Sequence, residues 1–499
     1  MNFLGIDVGT GGSRAVLINA DGEVIASATV EHQAFASPEI GWAEQNPEDW
    51  WKASLEAIRR ILKNENIKAE EIGAIGLSGQ MHGAVFLDES DKVLRPSIIW
   101  CDQRTDKQCR DITEKIGAEK LIELVSNPAL PNFTLTKMLW VRENEPEIWN
   151  KTRTVLLPKD YLRFRLTGDK ATDVSDASGT LLLDVQSRKW STELLAAVEM
   201  SENLLPKLYE SAEITGTISA ECAAETGLKE GTKVVAGAGD NAAGAIGIGI
   251  VSVGAVSATI GTSGVVFAVT DKPSIDLQGR IHTFCHAVPN RWHVTGVTQA
   301  AGLSFRWFRD NFAAGESYDD LVESAKKIPV GADGLIWTPY LMGERTPHID
   351  SSVRASLIGL TASHTKAHVV RAILEGVAFS LRDAIEIFKD LNIPIENIRL
   401  GGGGATSPLW RQIQADVYGQ KVEIVEAEEG AAYGAALLAG VGAGAWKTID
   451  EACEKTIRTA EKIEPNEKSV GILNNQYKAF QKVYSSLSSV MEILNSKTR

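Results

Sequence analysis

The chain lacks the signals of several large function classes. Its five cysteines, Cys101, Cys109, Cys222, Cys285 and Cys453, form no CxxC pair, which argues against a zinc site or disulfide framework and fits a reducing compartment. Its eight histidines form no HExxH or HxxEH pattern, so no zinc-hydrolase site is expected. The phosphate-loop pattern GxxxxGK[ST] is absent. The one GxG that follows an apolar run, Gly237-Ala238-Gly239, has Ala242 where a dinucleotide fingerprint needs glycine. No apolar stretch reaches membrane-spanning length, and no basic segment precedes Phe3-Leu4-Gly5-Ile6-Asp7. Neither a membrane span nor a signal peptide is expected, and the expected location is cytoplasmic. Positive charge is in deficit, with 51 Lys and Arg against 65 Asp and Glu and a net charge of −14. That argues against a nucleic-acid partner or a membrane-surface helix. A phosphorylated ligand stays open, because backbone N–H groups bind phosphate without Lys or Arg.

What is present is an α/β pattern that occurs twice. At 499 residues the chain exceeds one core, so two or more domains are expected. Residues 3–8 read as a strand, Gly9-Thr10-Gly11-Gly12 as a turn and Arg14 to Asn19 as a second strand. Asp21-Gly22 then signals a hairpin into a third strand, Glu23 to Val30. Asn46-Pro47-Glu48-Asp49 reads as a helix start, followed by Trp50, Trp51, Leu55, Ile58 and Leu62 at helical spacing. Ile72 to Leu77 is a buried strand that ends in Ser78-Gly79-Gln80-Met81-His82-Gly83, and Thr134–Arg142 is a helix. The plan restarts with a strand from Val253 to Ile260, the turn Gly261-Thr262-Ser263-Gly264 and a strand from Val265 to Val269. A long amphipathic helix, Thr365–Leu391, leads to the strand Asn397–Leu400 and four glycines, 401–404. The expected division is a first domain at 1–248, a second at 249–446 and a helical tail at 447–499. Open α/β sheets bind ligands beyond the carboxyl ends of their strands, so a cleft between the domains is the expected site.

Three stretches bear chemistry. The one acid of Gly237-Ala238-Gly239-Asp240-Asn241-Ala242-Ala243-Gly244 is Asp240, after a strand and before a small-residue helix. It is expected at the N-cap, its carboxylate held by helix-terminal N–H groups. A general base and a plain cap are both open on the residues alone. The first Gly-Thr turn presents a concave row of N–H groups suited to phosphate. Thr10 and Ser13 add hydroxyls and Arg14 a cation, and Asp7 could anchor Mg²⁺ through water, although an ordinary hairpin has the same local pattern. The second turn, Gly261-Thr262-Ser263-Gly264, lines up with the first, with Thr259 in the place of Asp7. The glycine run Gly401-Gly402-Gly403-Gly404 before Trp410-Arg411-Gln412-Ile413 lets a flat ring approach the backbone.

With these motifs the chain resembles the FGGY carbohydrate kinases of the actin, hexokinase and Hsp70 superfamily. The resemblance rests on Asp7-Val8-Gly9-Thr10, Gly239-Asp240-Asn241, Gly261-Thr262-Ser263 and Thr134-Leu135-Thr136-Lys137-Met138-Leu139-Trp140. Ala355-Ser356-Leu357-Ile358-Gly359-Leu360, followed by His368 to Glu375, also fits. Ser78 to Gly83, Gly343-Glu344-Arg345-Thr346-Pro347-His348 and Gly41-Trp42-Ala43-Glu44-Gln45 are similar to the bacterial xylulokinase form. Two positions depart: Cys101 stands where xylulokinases usually have Asn, and Asn132 where the family has a small or aromatic residue.

The resemblance implies two ribonuclease H-like α/β domains around a cleft. It implies transfer of the γ-phosphoryl group of ATP to a sugar hydroxyl, for xylulose the 5-hydroxyl. Other pentuloses, gluconate or a polyol remain as acceptors, and an actin- or Hsp70-like ATPase is the contrasting class. By the same resemblance Asp240 is the base and Asp7 anchors Mg²⁺. Met81, His82, Trp100, Asp240 and Asn241 meet the sugar. Gly9, Thr10, Gly11, Gly12, Ser13, Arg14, Gly261, Thr262 and Ser263 hold phosphates, and Trp307, Gly403, Gly404 and Ser407 border the adenosine. The implied partners are small molecules, ATP and a sugar, with no nucleic acid or membrane; a homodimer is one assembly open to the chain.

Overall fold

The computed structural model describes residues 1–64, 66–426 and 430–496. The first sheet is built from β1 (Asn2–Val8), β2 (Gly12–Ile18), β3 (Val24–Glu31), β4 (Ile72–Gly79), β5 (Ile214–Thr217), β6 (Lys233–Val235) and β7 (Ala238–Gly239). Its order is β5-β6-β4-β1-β2-β3, with β7 also on β4. The second sheet is built from β8 (Ala255–Ile260), β9 (Gly264–Thr270), β10 (His282–Cys285), β11 (Trp292–Thr298), β12 (Asn397–Gly402), β13 (Val422–Val425) and β14 (Thr459–Ile463). Its order is β10-β11-β9-β8-β12-β13-β14. Strand for strand, β3-β2-β1-β4-β6-β5 matches β11-β9-β8-β12-β13-β14 in order and in direction. The repeated plan expected from the sequence is therefore two copies of one sheet.

The register makes the repeat exact at the chemistry. Asp7 lies beside Ser78 and Thr259 beside Gly401, so Thr259 does occupy the place of Asp7. The two turns differ in length: Val8 pairs with Ser13 across the first and Ile260 with Gly264 across the second. Gly264 thus stands in the place of Ser13, not of Gly12. β1 and β4 are central parallel partners covered on both faces, which is why Phe3, Leu4, Ile6 and Val8 are all buried. Asn46 caps the helix Pro47–Leu62 by accepting the Glu48 N–H, with Pro47 in the first turn. Thr365 and His368 form a capping box on Lys366–Asp390.

Two segments depart from expectation. The tail contains a strand as well as helices: β14 pairs antiparallel with β13 and completes the second sheet. Its exposed, charged sequence, Thr459-Ala460-Glu461-Lys462-Ile463, carries little strand signal because only its last residue is buried. The helix Glu467–Ser496 then buries Leu473, Tyr477 and Phe480 in the core of the second sheet. The helix Gly430–Ala443, which follows β13, lies instead against the first sheet. Its Ala432, Ala436 and Leu437 share a core with Phe3, Val16 and Ala74. Strand glycines permit that contact, since a Cβ on Gly5 or Gly76 would fall 1.9 Å from a helix carbonyl oxygen. The same helix crosses Asp240–Gly247, so the elements carrying the two halves of the cleft are packed directly on one another.

Candidate active site

The opening Gly237–Gly244 stretch is a broken strand. β6 ends at Val235, the chain steps out through Gly237, and β7 resumes pairing with Ser78 and Gly79. Gly237 has φ +80 and a Cβ there would lie 2.2 Å from the Leu77 oxygen, so only glycine fits. Because β7 runs to Gly239 in extended conformation, Gly239 is the helix N-cap and Asp240 is the first helical residue. The expectation that Asp240 caps the helix is therefore corrected. Its carboxylate meets the Asn241 N–H alone and lines the cleft, and among the described residues Oδ1 has no hydrogen-bond partner. Burial, and then the charge of Asp7, push its pKa up to about 7 against the one opposing Asn241 N–H.

Asp7 ends β1, flanked by Arg14 on β2 and Ser78 on β4. It is half-buried, with Oδ1 out of solvent and unpartnered among the described residues, and desolvation raises its pKa despite the Ser78 hydroxyl and the Arg14 charge. Two repelling carboxylates, each with an unpartnered oxygen, fit a divalent cation nearby. Among the described residues no group of three or more His, Cys, Asp or Glu side chains gathers. Such a cation would be held by one or two carboxylates plus water and phosphate, the pattern of Mg²⁺.

The two turns close alike, Gly9 N–H to Gly12 O at 2.9 Å and Gly261 N–H to Ser263 O at 2.9 Å. Thr10 is wired into the sugar loop. Its Oγ1 donates to Gln80 Oε1 at 3.3 Å and accepts from Trp100 Nε1 at 2.9 Å, and its carbonyl accepts from Gln45 Nε2 at 2.8 Å. Ser13 does not join the turn. It is the first residue of β2 to pair back onto Val8 and it points inward, where Ser54 at 3.0 Å and His32 at 2.9 Å occupy its hydroxyl.

His82 sits at φ 71. Its Nδ1–H donates to Gly179 O at 2.6 Å, and burial, then the Lys137 charge, depress its pKa to about 3. The ring is neutral, and Nε2 is left as an acceptor for a hydroxyl. The buried Lys137 ammonium donates to His82 O at 2.8 Å and to Asn132 O at 2.6 Å. Asn241 Nδ2 reaches Met81 Sδ at 3.5 Å, which brings the neighbour of Asp240 onto the loop after β4.

Behind the base, Lys159 meets Asp160 at 2.6 Å, Asp173 at 2.9 Å and Asp176 at 3.5 Å, all fully buried. Ser175 Oγ donates to Asp173 and accepts the Gly239 N–H at 3.2 Å, tying that cluster to the residue before Asp240.

A cavity of about 300 Å³ is bordered by Gly261, Thr262, Gly403, Gly404 and Ser407, together with Phe305, Tyr318 and Trp410. It brings the second turn and the glycine run together as expected. Trp307 is not on its wall. It lies two residues beyond Phe305, about 200° round the helix, and stacks on Trp337 at 5.7 Å. Tyr318 supplies the aromatic wall instead; its place on the helix after the next loop has no local signal.

A larger cavity of about 630 Å³ joins Asp240 and Asn241 to Thr259, Gly401, Gly402 and Arg411. A third, of about 570 Å³, lies between Trp100, Cys101 and Asn132 on one side and Gln299, Glu344 and Arg345 on the other. Sequence reasoning quoted Arg345 and Asn132 in motifs without assigning either a role, and it missed Gln80, Tyr318 and the Lys159 cluster. The described residues thus place two carboxylates with unpartnered oxygens, two Gly-Thr turns and an aromatic-walled slot at the strand ends of the two sheets.

The profiles of the N-terminal and C-terminal domains of the FGGY family of carbohydrate kinases match residues 2–247 and 256–443. The chain is 42% identical over 493 residues, 99% of its length and 98% of the relative's, to the xylulose kinase of Bacillus subtilis. It is 32% identical over 502 residues, 98% of this chain and 96% of the relative, to the gluconokinase of the same species. The crystal structure of xylulose kinase from Rhodospirillum rubrum superposes with a TM-score of 0.92 at 28% identity, covering 99% of this chain and 100% of that one. Among the described residues no helix is long and apolar enough to cross a membrane. With both domain profiles matched across most of its length and the paired sheets in place, the chain belongs to the FGGY family of carbohydrate kinases.

Proposed function

We propose that the protein transfers the γ-phosphoryl group of ATP to the 5-hydroxyl of D-xylulose. The observation that carries this reading is Asp240: a carboxylate with a buried, unpartnered oxygen and a pKa of about 7, on the wall of a cavity that reaches Thr259 and Gly401 of the second sheet. A base with that pKa is half ionised near neutrality, where general-base catalysis is most effective. Asp240 accepts the hydroxyl proton as the oxygen attacks. Gly9–Gly12 and Gly261–Ser263 cradle the β- and γ-phosphates, with the Arg14 cation beside Asp7. Gly403, Gly404, Ser407 and Tyr318 border the adenosine. His82 Nε2 accepts a sugar hydroxyl, Trp100 covers a carbon face, and Asn241 and Met81 close the pocket around the attacking oxygen. Asp7 is the residue that would hold Mg²⁺, and the chemistry the ion would supply there is neutralisation of phosphate charge.

In this reading residues 1–248 form the sugar- and base-bearing domain, 249–446 the nucleotide-bearing domain and 447–499 the tail, which the second sheet incorporates. Closure of the two halves excludes water and limits ATP hydrolysis. A cytoplasmic setting fits a small-molecule kinase that draws on ATP. The similarity to a gluconokinase makes gluconate the alternative acceptor. ADP release measured over a panel of D-xylulose, D-ribulose, L-ribulose, gluconate and glycerol tests the reading. D-xylulose is expected to give the highest kcat/KM. A higher value for gluconate would overturn the substrate assignment, and equal ATP turnover without sugar would overturn the kinase assignment.

A further inference from the structure

Among the described residues, two polar groups on the walls of the third cavity have no hydrogen-bond partner. Arg345 projects into it from the loop after Tyr340, and among the described residues no carboxylate or carbonyl partners its guanidinium. The nearest acid, Glu344, is already occupied: it accepts the Gln299 and Arg345 N–H groups at 2.9 and 2.8 Å and the hydroxyls of Thr298 and Ser380. On the facing wall Asn132 is 6% exposed, and its Oδ1 has no hydrogen-bond partner. Leaving a half-buried guanidinium and a buried amide oxygen without partners is costly, and such costs are met where a ligand supplies the partners.

The cavity adjoins the sugar loop. The Lys137 ammonium holds the carbonyls of Asn132 and His82 together. Phe133 packs between the rings of His82 at 5.1 Å and His282 at 5.9 Å, and His282 lines the cavity. The charge of Arg345 depresses the basicity of both histidines, so the guanidinium stands within electrostatic reach of the sugar loop. Trp100 is 41% exposed, lines the cavity and is pinned by its N–H to Thr10 of the first turn. A flat, fixed aromatic face joining a phosphate turn to a polar cavity suits a polyhydroxy chain lying across it.

We infer that this cavity is the subsite for the end of the sugar remote from the phosphorylated hydroxyl, and that Arg345 and Asn132 determine which end is accepted. The inference rests on the kinase reading above. The matching chemistry is a neutral ketose end, with a carbonyl or hydroxyl oxygen accepting from Arg345 and a hydroxyl donating to Asn132 Oδ1. A carboxylate end would satisfy Arg345 but bring no proton to Asn132.

The test is steady-state kinetics of Arg345→Met, Arg345→Ala, Arg345→Lys and Asn132→Ala with D-xylulose and with ATP, alongside melting curves. A remote contact made equally in ground and transition state changes KM and not kcat. The loss of a hydrogen bond to a charged group gives a rise in sugar KM of roughly tenfold to a hundredfold for Arg345→Met. Its kcat at saturating sugar and its KM for ATP are expected within threefold of wild type. Asn132→Ala is expected to raise sugar KM several-fold, Arg345→Lys to recover part of the loss, and added guanidinium to lower the sugar KM of Arg345→Ala. A sugar KM for Arg345→Met within twofold of wild type would overturn the inference. So would an equal rise in the KM for ATP, or no response to guanidinium. If Arg345→Met does not fold, Asn132→Ala and Arg345→Lys decide on the same criteria. A wild-type protein without sugar-dependent ADP release would fail the kinase reading instead, and is read before any variant.

Discussion

Replacing Asp240 by Asn keeps its shape and removes its charge, and two separate readouts follow. The folded-state pKa is raised from 3.8 to about 7, first by burial and then by Asp7. Native protein therefore holds the proton more tightly than the unfolded chain does. The stabilisation this gives is fully present below about pH 4 and is lost as pH rises to about 7, after which it is level. At full burial the loss would be ~4 kcal/mol. The carboxylate is partly open to the cleft, so solvent screening reduces the working figure to ~2 kcal/mol. Asp240→Asn does not ionise and escapes this loss. Denaturant midpoints at pH 4.5 and pH 8 should show the variant about as stable as wild type in acid and more stable by ~2 kcal/mol at pH 8. In the same preparation kcat should fall by at least roughly 10²- to 10⁴-fold, the usual contribution of a general base. Such an exchange of stability for activity marks a charge kept unpaired for chemistry. A stability difference independent of pH would mean that the carboxylate is paired in the native protein. A variant with near-normal turnover would remove Asp240 as the base.

Asp7→Asn should raise the Mg²⁺ concentration for half-maximal rate at least tenfold; it should also move the acid limb of the pH–rate profile to lower pH, because the Asp7 charge raises the pKa of Asp240. An unchanged Mg²⁺ titration would make the anchor assignment wrong. Tyr318→Ala should raise the KM for ATP by roughly fivefold or more through loss of an aromatic wall, while Trp307→Ala, which faces Trp337, leaves it within twofold; the reverse order in the same assay would restore Trp307 as the nucleotide contact. Gly237→Ala must force a side chain into φ +80 and onto the Leu77 carbonyl, so it should lower stability by more than ~2 kcal/mol, and a melting temperature equal to wild type would contradict the broken-strand geometry.

The parts legible in the sequence were those set by local chemistry. Gly-Thr turns, the Asn46-Pro47 helix start and the run into Asp240 each carry their signal within a few residues. The register of β1 on β4 and of β8 on β12 then bore out the pairing of Asp7 with Thr259. The cap assignment of Asp240 failed because the strand resumes after Gly237, which is a matter of pairing with Ser78 and Gly79 and not of local sequence. The inward direction of Ser13 was not legible, because it depends on Ser54 and His32. Nor was the direction of Trp307, because the choice of helix face depends on what packs behind it. Arg345 and Asn132 come from segments more than 200 residues apart, so nothing local marks them as facing one cavity.

The internal repeat explains why the cleft is asymmetric. After β4 the chain enters Gln80-Met81-His82, and after β12, at the same register, it enters Gly403-Gly404-Ala405. One sheet end therefore presents polar side chains, which in the proposed reading bond a polyol, and the other presents bare backbone, which in that reading admits a flat ring. The same division holds one strand over, where Asp7 is charged and Thr259 is not. A second acid at Thr259 would add a further negative charge beside the phosphates without a second set of metal ligands. Repulsion between Asp7 and Asp240 already raises the pKa of the base, and a third carboxylate in the cleft would raise it further, leaving less base ionised at neutral pH. Divergence at these register-matched positions accordingly separates acceptor from donor, and leaves the one unpaired base on the acceptor side.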